Sequence, residues 1–184
     1  QYIMSLNKQV KIILIETTNS GNIGSALRAM KTMEFTNLCL VNPKEFPSEQ
    51  VETFAANAKD LIEKVEVVDS LDQALEGVNF VIGTSSRMRK VPWPNESLDS
   101  VSTKIIAEAK KDHKIALLFG REDRGLTNEE LQRCNLHVHI KANKDYPVLN
   151  IAMAVQVVCY QLYIDSFQDK HVVDNAYWDV PTAQ

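Results

Sequence analysis

Four charged side chains, Arg121, Glu122, Asp123 and Arg124, close off an apolar run in "LLFGREDRGLTNEEL", residues 117–131. Connections at the end of a strand usually need turn formers, so two cations and two anions directly after Gly120 are out of place in a plain loop. A second polar constellation is "GNIGSALRAM", residues 21–30, with Asn22 at the mouth of a helix and Arg28 on its first turns. Its Gly-x-x-Gly lacks the extra glycine and the distal acid of a dinucleotide-binding fingerprint. The same spacing occurs in the loop by which KH domains clamp an RNA backbone, a likeness of only four residues. The plain alternative is a glycine-made turn with a surface arginine. A third stretch is "TSSRMRKVPWP", residues 84–94, where hydroxyls and free backbone N–H groups could hold a ligand. Arg87, Arg89 and Lys90 there suit phosphates, and the alternative is an exposed polar loop. His137 and His139 share one face of a strand. No carboxylate or cysteine stands at ligand spacing from them, so ordinary strand histidines are expected rather than a metal pair.

The period of the apolar residues sets out the elements that must carry these groups. Strands are expected at 10–15, 38–41, 65–68, 80–83, 115–119 and 136–140. Helices are expected at 24–33, at 48–63 behind a Ser48 cap, from Ser70 to Leu75, at 97–111, and at about 150–164. A further helix should begin at Thr127, which stands at capping-box spacing from Glu130. Alternation of this kind predicts an α/β fold with a mostly parallel sheet and helices on both faces. Continuously apolar strands agree, because strands buried on both sides need no polar face. Ligands in such folds sit at the carboxyl ends of the strands, which points to loops 16–23, 84–95, 120–127 and 141–149. Residues 1–165 read as the domain, and the polar stretch 166–184 as a tail or linker.

Composition narrows the classes. A chain of 184 residues with 45% hydrophobic and 24% charged residues is ordinary for a soluble globular protein. No apolar run has the length of a membrane span, so no membrane partner is expected. The N-terminus lacks the apolar core of a signal peptide, and Met4 could be a native start. Three distant cysteines, Cys39, Cys134 and Cys159, argue against a disulfide framework and for a cytoplasmic protein. The net charge of −4 disfavours gripping nucleic acid through overall charge, so RNA binding would depend on local basic patches.

Taken in order, "GNIGSALRAMKTM", "GTSSRMRKVPWP", "FGREDRGLTNEEL" and "LNIAMAVQ" resemble the signature set of the SPOUT (SpoU-type) RNA 2′-O-ribose methyltransferases, over roughly residues 8–165. The Pro-Trp-Pro stretch and "GLTNEEL" resemble most the branch that methylates cytidine or uridine at position 32 of the tRNA anticodon loop. That branch carries a second, small helical domain, and "YWDVPTAQ" resembles the linker towards it. The resemblance implies a C-terminal trefoil knot, a homodimer, S-adenosylmethionine as cofactor, tRNA as partner, and no metal. It places the cofactor in the loops after Gly83, Phe119 and Ile140. Thr84, Ser85, Ser86, Gly120, Ile140, Pro147, Val148 and Leu149 would bind it.

The same resemblance implies roles. Gly120 would let the backbone approach the cofactor, and Glu122 would anchor the pocket by hydrogen bonds. Arg121 and Arg124 would face the RNA or a second subunit, and Arg87 and Arg89 the RNA. Arg28 would serve the reacting hydroxyl, reaching the pocket of the partner subunit, with Asn22 and Asn150 orienting it and the knot loops. A guanidinium, with a pKa above about 12, is a poor base, so Arg28 is expected to hold a phosphate and stabilise developing oxyanion charge. Two departures stand out. Pro147 and Val148 occupy positions where relatives have serine, and Glu34 replaces a glycine, which puts the usual left-handed helix cap there in question. Other readings are a 2′-O-methyltransferase of another tRNA position or of rRNA, and a nucleotide-binding module without transferase activity.

Overall fold

Runs of isoleucine, leucine and valine pair side by side into one sheet. Its strands are Val10–Ile15 (β1), Leu38–Val41 (β2), Glu66–Val68 (β3), Phe80–Ser85 (β4), Asn95–Glu96 (β5), Ile115–Phe119 (β6) and Leu136–His139 (β7). The order is β3-β2-β1-β6-β4-β7-β5 and every pairing is parallel. The computed structural model describes residues 3–85, 95–146 and 149–167. Ser86, Arg87, Arg89, Pro147, Val148 and the stretch 168–184 lie outside the described residues.

Each central strand is apolar on both faces, and helices cover both. Ile12, Leu14, Leu117 and Phe119 pack with helices Ser20–Thr32 (α2), Leu98–Lys110 (α5) and Ile151–Asp165 (α7). Ile13, Ile15, Ala116 and Leu118 point the other way, onto Ala74 of the short helix Leu71–Ala74 (α4) and Leu131 of Asn128–Gln132 (α6). Among the described residues no helix is long and apolar enough to cross a membrane.

Five details differ from the sequence expectation, each for a local reason. A helix at Ile3–Gln9 (α1) and strand β5 were not foreseen. α1 buries Leu6 alone among its described side chains, and β5 is held by its backbone rather than an apolar pattern. The region 48–63 is not one helix: Glu49–Ala55 (α3) ends where Ala56 takes φ 50°, and Ala56–Lys64 continues as a 3-10 helix. The buried Ala55, Ala58 and Leu61 are spaced by three, which suits three residues per turn better than 3.6.

α2 begins at Ser20, earlier than expected, capped by Asn19, whose side chain accepts from the Gly21 N–H at 2.9 Å. Gly21 and Gly24 are therefore helical, neither a turn nor an anion loop. A Cβ on Gly24 would lie 2.4 Å from the Val51 carbonyl oxygen, so the spacing exists to let α2 and α3 cross closely. The helix closes without a glycine. Glu34 takes φ 63°, with Phe35 N–H bonded to Met30 O and Glu34 N–H to Lys31 O. That pair is the six-to-one and five-to-two pattern of a left-handed cap, formed here at the steric cost of a side chain.

Candidate active site

The carboxyl ends of β1, β4, β6 and β7 converge on a cavity of about 440 Å³. The chain reverses its outward march across the sheet between β1 and β6, and a crevice at that point is where such sheets bind ligands. Phe119, Leu126, Leu131, Ile140, Leu149 and Ala154 supply apolar wall, while Asn19, Asn22, Asn95, Asn150 and Glu122 supply polar groups. An apolar pocket with a few convergent polar groups is the ordinary build of a small-molecule site.

Glu122 is the knot of that polar set. Its carboxylate accepts from Thr18 N–H (3.1 Å), Thr18 Oγ1 (3.0 Å), Asn19 N–H (3.4 Å) and Asn22 Nδ2 (3.3 Å). Asn22 Oδ1 in turn accepts from Asn150 Nδ2 at 3.0 Å, and Asn150 Oδ1 caps α7 through Ala152 N–H. One chain of hydrogen bonds thus ties the 18–22 segment to two loops that lie 100 or more residues further along the chain. Only an ionised carboxylate accepts from so many donors. Burial pushes the Glu122 carboxyl up, but bonds from its own N–H, Thr18, Asn22 and Asn19 outweigh it and hold the group below the ordinary carboxylate range.

A depressed folded pKa means the unfolded chain binds more protons in the acid range. The stabilisation is therefore complete above the unfolded value of about 4.3 and is lost as pH falls through the lower folded value. In thermal melts from pH 7 to pH 3, the stability gap between wild type and Glu122→Gln is expected to be constant near neutrality and to shrink below about pH 4. A gap independent of pH would remove the charge of Glu122 from the account.

Arg121 does something other than expected. It does not face outward towards RNA or a second subunit; its guanidinium turns inward onto Glu16 and Glu130 of its own chain. Arg121 Nη1 and Nη2 meet the two Glu130 oxygens at 2.8 and 3.1 Å, and Nη1 reaches Gly125 O at 3.3 Å. Glu130 also closes the capping box of α6 with Thr127, as the spacing implied. The physical reason is proximity: the antiparallel bridge Arg121↔Gly125, with Gly125 at φ 69°, folds the loop back over α6. Hydrogen bonding to Glu130 raises the Arg121 pKa above its ordinary value, against burial and with help from Glu16. Gly120 lines the cavity and also has a reason within the turn. Its missing Cβ would lie 2.1 Å from the Gly125 carbonyl carbon, so the turn itself needs the glycine.

Other expected residues fall into place unevenly. Thr84, Ser85, Gly120, Ile140, Leu149, Asn150 and Arg124 line the cavity. Thr84 donates its hydroxyl proton to Leu118 O at 2.8 Å, so that proton is committed inside the sheet. Arg28 is exposed on the third turn of α2 and is not among the lining residues. Thr18, Asn19 and Asn95 line the cavity without having been singled out, and His137 lines it too. His137, read as an ordinary strand histidine, is 5% exposed, with Nε2 3.0 Å from Leu131 O. Thr18 and Asn19 sit in a flagged loop, but nothing local in the sequence links them to Glu122. Among the described residues no group of His, Cys, Asp and Glu could hold a metal ion.

The sequence pattern of the SpoU rRNA Methylase family matches residues 9–160. The chain belongs to this family. SpoU relatives named tRNA (cytidine/uridine-2'-O-)-methyltransferase TrmJ include that of Sodalis glossinidius (strain morsitans), 48% identical over 170 residues, 91% of this chain and 66% of that one. The TrmJ of Escherichia coli (strain K12) is 50% identical over 155 residues, 84% of this chain and 63% of that one. A probable methylase family protein from Haemophilus influenzae Rd KW20 superposes with a TM-score of 0.79 at 48% identity, covering 84% of this chain and 65% of that one. The chain therefore spans a little under two thirds of the length of these curated relatives.

Proposed function

We propose that this chain transfers a methyl group to the ribose 2′-hydroxyl of cytidine or uridine in a tRNA anticodon loop, at position 32. The observation that carries the reading is the Glu122–Asn22–Asn150 chain, which pins three loops around one cavity in a chain about half identical to proteins named for that reaction. S-adenosylmethionine fits the donor role: when bound it supplies a methyl group already activated by a positive sulfur. The cavity volume suits a nucleoside-sized ligand, with apolar walls for a base and amide groups for a ribose and an amino acid. Thr84, Ser85, Gly120, Ile140 and Leu149 would hold it, continued by Ser86, Pro147 and Val148. Arg124 on the rim suits a phosphate, as do Arg87 and Arg89.

The work of the protein is then to position the sugar oxygen and to ease loss of its proton. Good positioning can account for roughly 7–11 kcal/mol. Arg28 is the group proposed for the hydroxyl, acting on the cavity of a partner subunit. A homodimer is supported by α7, which is apolar on two sides. One side is buried in its own domain; the other shows Met153, Val157, Tyr160 and Ile164, 39–62% exposed and spaced i, i+4, i+7, i+11. A helix of that kind needs a second cover, and the α2 that carries Arg28 packs beside it, with Gln156 Nε2 3.3 Å from Thr32 Oγ1.

The trefoil knot belongs to the same reading. Support for it is that Asn150, beyond β7, bonds to Asn22 in the first turn of α2, so the chain after β7 comes back to the β1 side of the sheet. The catalytic domain would run to about residue 165, with 166–184 leading towards a further helical domain, in a cytoplasmic protein. Ser166 and Phe167 still pack on α7, the Phe167 ring edge-on to Tyr163 at 5.0 Å. The test is incubation with S-adenosylmethionine and an unmodified tRNA transcript, followed by mass mapping of the nucleosides. A 2′-O-methyl group at position 32 is expected. Methylation only elsewhere would move the assignment to another RNA site, and neither binding nor transfer would leave a nucleotide-binding module.

A further inference from the structure

Between Ile140 and Leu149, both lining the cavity, the chain makes a tight turn that presents side chains to solvent. Tyr146 N–H bonds to Asn143 O at 3.2 Å, and Asp145 N–H to Asn143 Oδ1 at 3.0 Å. Asn143 thus holds the turn with its backbone and its side chain together. The turn shows Lys141, Lys144 and Tyr146, all exposed. At 77%, Tyr146 is the most exposed large hydrophobic side chain among the described residues. It belongs to neither hydrophobic cluster. Nor is it part of the α7 stripe, so no intramolecular packing and no shared helix face accounts for it.

An aromatic ring left in water on a hydrogen-bonded turn, with two lysines within five residues, is built like a stacking platform with a phosphate clamp. Every base offers a flat face to such a ring, and the flanking phosphates offer charge to the lysines. In a chain of net charge −4, local placement of cations beside the cavity matters more than the overall balance. We infer that the 141–146 turn is an RNA-reading element: Tyr146 stacks an unpaired base next to the methylated nucleotide, while Lys141 and Lys144 hold its phosphates. This rests on the RNA-methyltransferase reading above and adds to it the contact that would admit a loop nucleotide rather than a duplex.

The test is fluorescence anisotropy of a labelled anticodon stem-loop with the intact chain, which needs no turnover. S-adenosylmethionine affinity is measured alongside by calorimetry. Tyr146→Ala is expected to weaken stem-loop binding about 5- to 100-fold, with Tyr146→Phe and Tyr146→Trp close to wild type and cofactor affinity unchanged. Lys144→Ala should lower the salt dependence of binding by roughly one unit of slope or less. Unchanged RNA binding in Tyr146→Ala overturns the inference. So does an equal loss in Tyr146→Phe, which would indicate the hydroxyl, or a shift of Tyr146→Ala from dimer to monomer, which would make the ring a subunit contact. If wild type binds the stem-loop as expected but transfers no methyl group, the enzymatic reading fails while the turn stands.

Discussion

Arg28→Ala is expected to lower methyl transfer about a thousandfold while leaving S-adenosylmethionine affinity and thermal stability unchanged. Arg28 is exposed, and among the described residues it makes no hydrogen bond or ion pair, so its own domain gains nothing from the guanidinium. In the proposed dimer, a cation on the third turn of a helix beside an uncovered apolar stripe would be available to a substrate in the partner's cavity. The magnitude follows from removing one donor aimed at developing oxyanion charge. Arg28→Lys should recover little, because an ammonium cannot reproduce a two-pronged contact to phosphate and oxygen. Mixing Arg28→Ala with Glu122→Ala protomers tests whether the arginine acts across the dimer. If it does, about a quarter of sites regain both groups, and activity should rise well above either variant alone. Retained turnover in Arg28→Ala, or no recovery on mixing, would sink the corresponding part.

The second large effect is on stability. Arg121→Met is expected to destabilise the fold by about 1–3 kcal/mol in urea denaturation, because it leaves the half-buried Glu130 carboxylate without its bidentate cation. The Arg121 and Glu130 side chains are only 11% and 13% exposed, whereas Glu16, at 41%, can be resolvated at little cost. Burial raises the Glu130 carboxyl, but bonds from Arg121 and Thr127 outweigh it and keep the group ionised. In a Glu130→Gln background, which keeps an acceptor for Thr127 N–H, the same substitution should cost markedly less. Equal costs in the two backgrounds would mean that lost packing, not a stranded charge, explains the loss. The loop carrying Glu122 should loosen with it, so cofactor affinity is expected to fall in parallel.

Most of the layered architecture could be read from local patterns. Apolar strands such as "VKIILI" and "IALLF" bury both faces whatever their neighbours, and the helices between them follow from caps such as Ser48, Ser70 and Thr127. The exceptions are elements that the backbone alone holds, like β5, or that a single residue breaks, like the 48–63 helix at Ala56. A left-handed cap at Glu34 was hidden because propensity argues against it, and the Met30 and Lys31 carbonyls override that preference.

The site was legible as a set of loops but not as a set of contacts. Glu122 could be marked as a polar residue at a strand end, yet its partners Thr18, Asn19 and Asn22 lie a hundred positions away. The resemblance placed Arg121 outward, towards RNA or a second subunit, and only folding brought Glu16 and Glu130 within its reach. The Gly-x-x-Gly pair looked like a turn until α3 was found pressed against it. By itself the sequence determined the parallel α/β layering, the loops that gather at the strand ends and the family, because hydrophobic period and motif order are local properties. Which charges neutralise one another, which glycines serve packing and which side chains remain free for a ligand were decided only by tertiary structure. Those outcomes depend on distances between residues remote in the chain, and no local pattern encodes them.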